Sequence, residues 1–139
     1  MTPSMMSSPV FVDASVIAAI LLNEADAEVL EDRIVDSSKR LTSAVAVFEA
    51  TLAISNRKVQ PIVVAQTAVM DYVLTFRMKI IEIDAEIGRL ALDARSRYGK
   101  GTGHPARLNM GDCFAYACAK AHGVALLYKG DDFVHTDLA

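Results

Sequence analysis

The sequence predicts a three-layer α/β/α fold with a mainly parallel central sheet of four to five strands. Strand-like and helix-like patterns alternate along the chain, and we find neither an internal repeat nor a low-complexity linker. The 139 residues suffice for one domain with one core, and 53% hydrophobic residues with 22% charged residues indicate a globular protein. We therefore expect a single domain over residues 1–139, in which residues 1–8 form a loose extension.

Each predicted strand is a short apolar run that leads into a segment of helical periodicity. The predicted strands are Val10–Asp13, Arg40–Ser43, Lys79–Ile83 and Val124–Tyr128. The predicted helices are Ser15–Leu22, Asp26–Ser37, Ala44–Arg57, Pro61–Phe76, Ala85–Tyr98 and Asn109–His122. The tail after residue 133 is expected either to add a short edge strand or to fray.

Composition excludes several classes of protein. The net charge of −3 does not indicate a general nucleic-acid binder, although a local basic patch remains compatible with it. No apolar run reaches the roughly 18 residues of a membrane span, and the first residues lack the basic start of an export signal.

Cys113 and Cys118 lie about 140° apart around one predicted helix, so they cannot easily pair. We expect both to be reduced packing residues in a cytoplasmic protein.

Four acidic residues do not fit a solvated surface. Asp13 ends the first strand and Asp131 follows the fourth, so both should lie at the edge where parallel strands end. Glu49 and Asp112 are each the only acid in an apolar helical segment. Burial of a lone carboxylate is costly unless it is paired or binds a cation. Four acids that converge on one edge therefore favour a site for Mg²⁺ or Mn²⁺, which prefer oxygen ligands.

Each of these acids also has a purely structural interpretation, and the sequence leaves it open. Asp13 would serve as the N-cap of the first helix, and Asp112 would form a capping box with Asn109. Glu49 would pair with a distant base. The pair Asp131–Asp132 would consist of ordinary turn residues after a glycine.

Four short motifs carry the acids in chain order: V-F-V-D-A-S, A-V-F-E, L-N-M-G-D-C-F-A-Y-A and K-G-D-D-F. In this order they resemble a PIN-domain ribonuclease, and more narrowly the VapC toxins of bacterial VapBC toxin–antitoxin systems. The resemblance extends from Pro9 to Leu138. It is most specific in the segment from Tyr98 to Phe114 and in the turn from Tyr128 to Phe133.

The resemblance implies a PIN-like fold and a Mg²⁺-dependent endoribonuclease, with Mn²⁺ as a substitute ion. The implied catalytic residues are Asp13, Glu49, Asp112 and Asp131, of which Asp13 and Asp112 hold the metal. Ser15 would orient the carboxylate of Asp13. The acidic turn offers both Asp131 and Asp132, and we choose Asp131 because it is closer to the strand end.

RNA binding also requires positive charge. The predicted substrate-binding residues are Lys100 and Arg107, in a glycine-rich loop, and Lys129, beside the acidic turn. Their alternative interpretation is that they are solvated charges.

The helices at 44–57 and 61–76 have more apolar residues than one buried face needs, which indicates a partner surface. The resemblance implies a VapB-like antitoxin, a homodimer and a toxin–antitoxin hetero-oligomer in the bacterial cytoplasm.

Two other functions compete with the ribonuclease hypothesis. One is a non-catalytic PIN-like module that binds RNA or a partner. The other is a phosphotransferase in which Asp13 is the nucleophile, but that chemistry commonly uses a second acid where this chain has Ser15. The presence of all four acids favours hydrolysis of phosphodiester bonds by a metal-activated water, because clustered carboxylates hold the ion that such hydrolysis uses.

Overall fold

The central sheet contains four parallel strands in the order β3-β2-β1-β4. They are β1 (Val10–Val12), β2 (Arg40–Ser43), β3 (Lys79–Ile81) and β4 (Ala125–Leu127). This computed structural model describes residues 8–139. Within that range β1 pairs with both β2 and β4, which confirms the predicted parallel sheet and gives it four strands rather than five.

The helices cover both faces of the sheet. They are α1 (Ala14–Leu21), α2 (Ala27–Asp36), α3 (Ala44–Lys58), α4 (Ile62–Thr75), α5 (Ala85–Tyr98) and α6 (Met110–His122). The chain steps from β1 to β3 toward one edge and then returns to place β4 beyond β1. Because crossovers between parallel strands are right-handed, α1 to α4 lie on one face and α5 and α6 on the other. The packing of α1 on α2 and α3, and of α5 on α6, agrees with these three layers.

The strand order reverses at β1, because β2 and β3 are added on one side of β1 and β4 on the other. This reversal determines where the site lies. All three residues of β1 are buried, as a strand covered by helices on both faces requires. The backbone N–H of Asp13 donates to the carbonyl of Leu127, so the pairing of β1 with β4 continues to the carboxyl edge of the sheet. In open α/β sheets, ligands bind in the crevice at such a reversal.

Three strands end earlier than predicted, because helix caps take over at their ends. β1 ends at Val12 rather than Asp13, since Asp13 is the N-cap of α1. β3 ends at Ile81 rather than Ile83. Its last partner is Ser43, whose side chain accepts the N–H of Ala46 as the N-cap of α3. β4 likewise ends where β1 ends, at the pair of Val12 and Leu127.

The tail neither adds an edge strand nor frays. Residues 131–139 form consecutive turns that pack onto the body of the protein, with Phe133 buried. The hydroxyl of Tyr116 donates to the carboxylate of Asp137 at 2.6 Å, which ties the tail to α6. Residues 1–7, which make up most of the predicted loose extension, lie outside the described residues.

Two further expectations concern the helices. Cys113 and Cys118 in α6 are both buried free thiols, as the sequence predicts. No helix within residues 8–139 is both long and apolar enough to cross a lipid bilayer.

The N-cap of α5 offers a test of the helix assignment. The carboxylate of Asp84 accepts the N–H of Ile87 at 3.0 Å. We expect Asp84→Ala to lower the free energy of unfolding by about 1 kcal/mol, and the melting temperature by about 3 °C. Asp84→Asn keeps an acceptor oxygen and should stay close to the wild type. Thermal unfolding followed by circular dichroism measures both, and equal losses in the two variants would contradict the assigned cap.

Candidate active site

Asp13 lies at the carboxyl edge of the sheet, where β1 passes directly into α1. Its Oδ2 accepts the backbone N–H of Ser15 at 3.1 Å and the hydroxyl of Ser15 at 2.6 Å. The hydroxyl oxygen of Ser15 accepts the backbone N–H of Lys129 at 3.0 Å. Asp13 is therefore both a strand-end acid and the N-cap of α1, and Ser15 links it to the turn after β4.

Asp112 lies in the first turn of α6 and forms the capping box that the sequence left open. The side-chain oxygen of Asn109 accepts the N–H of Asp112 at 2.9 Å, and Oδ2 of Asp112 accepts the N–H of Asn109 at 3.1 Å. This reciprocal pair fixes the orientation of the buried carboxylate. The capping box uses Oδ2 of Asp112 and leaves Oδ1 available for a second interaction.

Glu49 approaches the same point from α3. Its carboxylate lies directly against the α-carbon of Gly111, and any β-carbon at position 111 would overlap it. The glycine therefore allows the carboxylate of Glu49 to lie beside the first turn of α6, next to Asp112. Sequence reasoning did not identify Gly111. Its position immediately before an acid in an apolar helix was the signal that could have found it.

Burial and mutual repulsion raise the pKa values of three carboxyl groups. Burial raises the pKa of Asp13, and the charge of Asp132 adds to the effect. Burial also raises the pKa of Glu49, with contributions from Asp13 and Asp132. For Asp112, burial and then the charges of Asp132 and Asp13 raise the pKa to about 8. These acids therefore share one electrostatic environment.

The fourth acid of this cluster is Asp132, not Asp131. The charge of Asp132 acts on Asp13, Glu49 and Asp112. Asp131 is not among the charges that raise these pKa values. The sequence-based choice used distance along the chain from the strand end. The turn after Gly130, whose φ is +96°, instead brings the second acid toward the cluster.

The predicted RNA-binding bases differ in their surroundings. Lys100 and Arg107 are exposed in the loop between α5 and α6. Lys129, in contrast, places its Nζ 3.0 Å from carboxylate oxygens of both Glu24 and Asp26. Its ammonium group is engaged by these two acids, so binding of RNA by Lys129, which stays a prediction, would require a phosphate to replace them. Its role here is to tie the turn that contains Asp132 to the loop between α1 and α2.

Other candidates from this region are structural. The ring of His104 packs edge-on against Tyr98, and its Nδ1 accepts the N–H of Ala106. Tyr98 and Tyr116 are buried, and both hydroxyls donate to Asp137. Neither tyrosine presents a free face for stacking on a base.

The donors of the cluster fit a hard divalent cation. The cluster consists of four carboxylates, and oxygen ligands of this kind suit Mg²⁺ or Mn²⁺. Within residues 8–139, no three acidic, histidine or cysteine side chains already stand close enough together to hold an ion. Because the carboxylates repel one another, a cation would have to draw them together. Their raised pKa values reflect burial first and this repulsion second.

Comparison with known proteins agrees with the fold. The PIN domain family model matches residues 10–138. A VapC ribonuclease of Rhizobium meliloti is 43% identical over 139 residues, covering 92% of this chain and 98% of the relative. Ribonuclease VapC42 of Mycobacterium tuberculosis is 39% identical over 128 residues, covering 91% of this chain and 95% of the relative.

A solved structure shares the architecture. The crystal structure of Mycobacterium tuberculosis VapC20, described as a sarcin-ricin loop cleaving toxin, superposes with a TM-score of 0.70. The two chains are 16% identical, and the match covers 90% of this chain and 92% of the other. The chain belongs to the PIN-domain family, within its group of VapC ribonucleases.

The raised pKa of Asp112 predicts how stability depends on pH without a divalent cation. A folded-state pKa of about 8, against an ordinary value of 3.8, means that the folded protein holds this proton more tightly than the unfolded chain. The stabilisation is therefore complete in acid and is lost as the pH rises through about 8. In EDTA, we expect the melting temperature of the wild type to fall as the pH rises from about 4 to about 8 and to change little above that range.

Asp112→Asn removes this titration, so its melting temperature should fall less over the same range. Asp131→Asn serves as the matched control, because Asp131 does not act on the cluster, and it should follow the wild type. Parallel curves for the wild type and Asp112→Asn would contradict the assigned repulsion.

Proposed function

We propose that this chain cleaves RNA phosphodiester bonds as a Mg²⁺-dependent endoribonuclease, the toxin of a toxin–antitoxin pair. The observation that supports this reaction is the cluster of Asp13, Glu49, Asp112 and Asp132 at the carboxyl edge of the sheet. Its electrostatics favour a bound cation strongly, because a cation would relieve both the burial of the carboxylates and their repulsion. The curated relatives are named VapC ribonucleases, which gives the substrate class.

Asp13 and Asp112 are the proposed metal ligands, since both are buried and held in place by hydrogen bonds. Glu49 and Asp132 complete the acidic pocket. A bound Mg²⁺, for which Mn²⁺ is a substitute, would supply an activated water and stabilise negative charge on the phosphate. Mg²⁺ as the resident ion is part of this proposal.

The chain's own residues prepare the site in two ways. Ser15 restrains Asp13 through two hydrogen bonds and also accepts the backbone N–H of Lys129. Ser15 therefore connects the acid that follows β1 to the acidic turn that follows β4. The capping box with Asn109 restrains Asp112. Because these hydrogen bonds are present before any ligand binds, little conformational freedom would be lost when an ion and an RNA phosphate bind.

We also propose a VapB-like antitoxin and a second copy of this chain as partners. Phe48, Val63 and Leu74, on α3 and α4, are 64%, 65% and 70% exposed, and large apolar side chains grouped in this way are typical of interaction surfaces. Phe48 is adjacent to Glu49 in the chain, so an antitoxin on this surface would lie near the catalytic acids. An antitoxin arginine would pair with these carboxylates in place of the metal. The proposed location is the bacterial cytoplasm, where both thiols remain reduced.

Substitution of the acids tests the catalytic assignment. We expect Asp13→Asn and Asp112→Asn each to lower the rate of RNA cleavage by about 100-fold or more, because loss of metal-dependent stabilisation removes several kcal/mol from the transition state. Asp132→Asn should also lose activity, while Asp131→Asn should stay close to the wild type. Gel analysis of a structured RNA with Mg²⁺ provides the rates.

The controls separate catalysis from simple RNA binding. EDTA should abolish cleavage by the wild type, and addition of Mg²⁺ or Mn²⁺ should restore it. Cleavage that persists in EDTA, or undiminished activity in both Asp13→Asn and Asp112→Asn, would contradict the mechanism. A wild type that binds RNA but never cleaves it would instead identify a non-catalytic module.

A further inference from the structure

A second charged site lies at the opposite edge of the sheet from the catalytic acids. A cavity of about 560 Å³ is enclosed by the segments that lead into all four strands. Its lining includes the basic side chains of Lys39, Arg40, Arg77, Lys79 and His122. The volume is in the range of pockets that hold small ligands. This cavity belongs to the amino edge of the strands, whereas Asp13 and Asp132 follow their carboxyl ends.

Positive charge is concentrated in the lining of this cavity. Its Lys and Arg residues are four of the chain's fourteen, although the chain as a whole has a net charge of −3. None of the four takes part in an ion pair with another residue in the range 8–139. No acidic residue is among the described residues that line the cavity. Glu82, Asp84 and Glu86 line an adjacent cavity along β3 and α5, which shares Lys79, Ile81 and His122 with this one.

One of the two arginines that line the cavity is held in place by backbone carbonyls. The guanidinium of Arg40 donates to the carbonyls of Phe76 at 2.8 Å and Val35 at 2.9 Å, which leaves its other N–H donors available. Arg77 has a φ of +53°, a conformation in which glycine is the usual residue after a helix. At this position the chain has a long cationic side chain instead. A preorganised guanidinium loses little freedom when it binds an oxyanion.

We propose that this cavity binds phosphate groups of the RNA at a site separate from the point of cleavage. The proposal rests on RNA being the substrate of the catalytic acids. Phosphate is the anion that an RNA-processing protein meets at high local density, and Lys and Arg contacts to it supply affinity without reading sequence. Strands of three to four residues separate the two sites by roughly 10–13 Å. Because helices cover both faces of the sheet, one RNA that contacts both edges would pass over the outside of these helices.

RNA binding by the full chain in EDTA, where no cleavage occurs, tests the proposal. The variant is Lys39→Gln/Arg77→Gln, and the matched control is Arg57→Gln/Lys58→Gln, which removes the same charge from the exposed end of α3. Fluorescence anisotropy with a labelled single-stranded RNA is measured from low to high NaCl. Loss of two phosphate contacts should weaken binding about tenfold at 0.15 M salt and reduce the salt slope by about 1.4. The control should change neither by a comparable amount.

Three results would overturn the proposal. The first is unchanged affinity and salt slope in the cavity variant, and the second is an equal loss in the control, which would indicate a general charge effect. The third is inorganic triphosphate binding that needs Lys39 and Arg77 while RNA binding does not, since this identifies a small-anion site. Circular dichroism melts exclude unfolding, and the single variants Lys39→Gln and Lys79→Gln provide milder forms of the test.

A cleavage assay keeps this proposal separate from the proposed function. With Mg²⁺, the cavity variant should show a raised KM and an unchanged kcat, because the cavity contacts RNA but not the reacting phosphate. A wild type that does not cleave RNA would refute the catalytic function. A cleaving wild type with no change in KM in the variant would refute the cavity site alone.

Discussion

The structure depends on the burial of several carboxylates at one edge of a small sheet. Asp13 and Asp112 are almost inaccessible to solvent, and the charge of a third acid, Asp132, raises the pKa of both. A protein tolerates such a group of like charges only if protons or a cation neutralise it. The hydrogen bonds from Ser15 and Asn109 do not remove this repulsion, but they fix the positions at which it acts. Metal binding, pH dependence and catalysis therefore have the same physical origin.

Much of this arrangement could be predicted from the amino-acid sequence. The spacing of the apolar residues indicates the strands and helices, and the places of the acids within them indicate the cluster. The apolar run before Asp13 identifies a buried strand, and a parallel sheet places the ends of its strands on one edge. Glu49 and Asp112 stand out as acids in apolar helical surroundings. The structural and functional interpretations of Asp13 and Asp112 proved compatible, since a helix cap uses one carboxylate oxygen and leaves the other.

The remaining details depend on geometry that no pattern encodes. The choice between Asp131 and Asp132 depends on the path of the turn after Gly130, and the engagement of Lys129 depends on distant acids in the loop between α1 and α2. The basic cavity draws its residues from separate segments, which come together only when the four strands align. The acidic cluster thus lies at the carboxyl edge of the sheet and the basic cavity at its amino edge.

Direct measurement of cation binding is the sharpest test of the shared acidic site. Free Mn²⁺ can be followed by its electron paramagnetic resonance signal as protein is added at pH 7.5. The account predicts that the wild type binds Mn²⁺, that Asp131→Asn binds it equally well, and that Asp132→Asn binds it about tenfold more weakly or worse. Weaker binding in Asp131→Asn with no change in Asp132→Asn would contradict the account, as would identical binding in all three proteins.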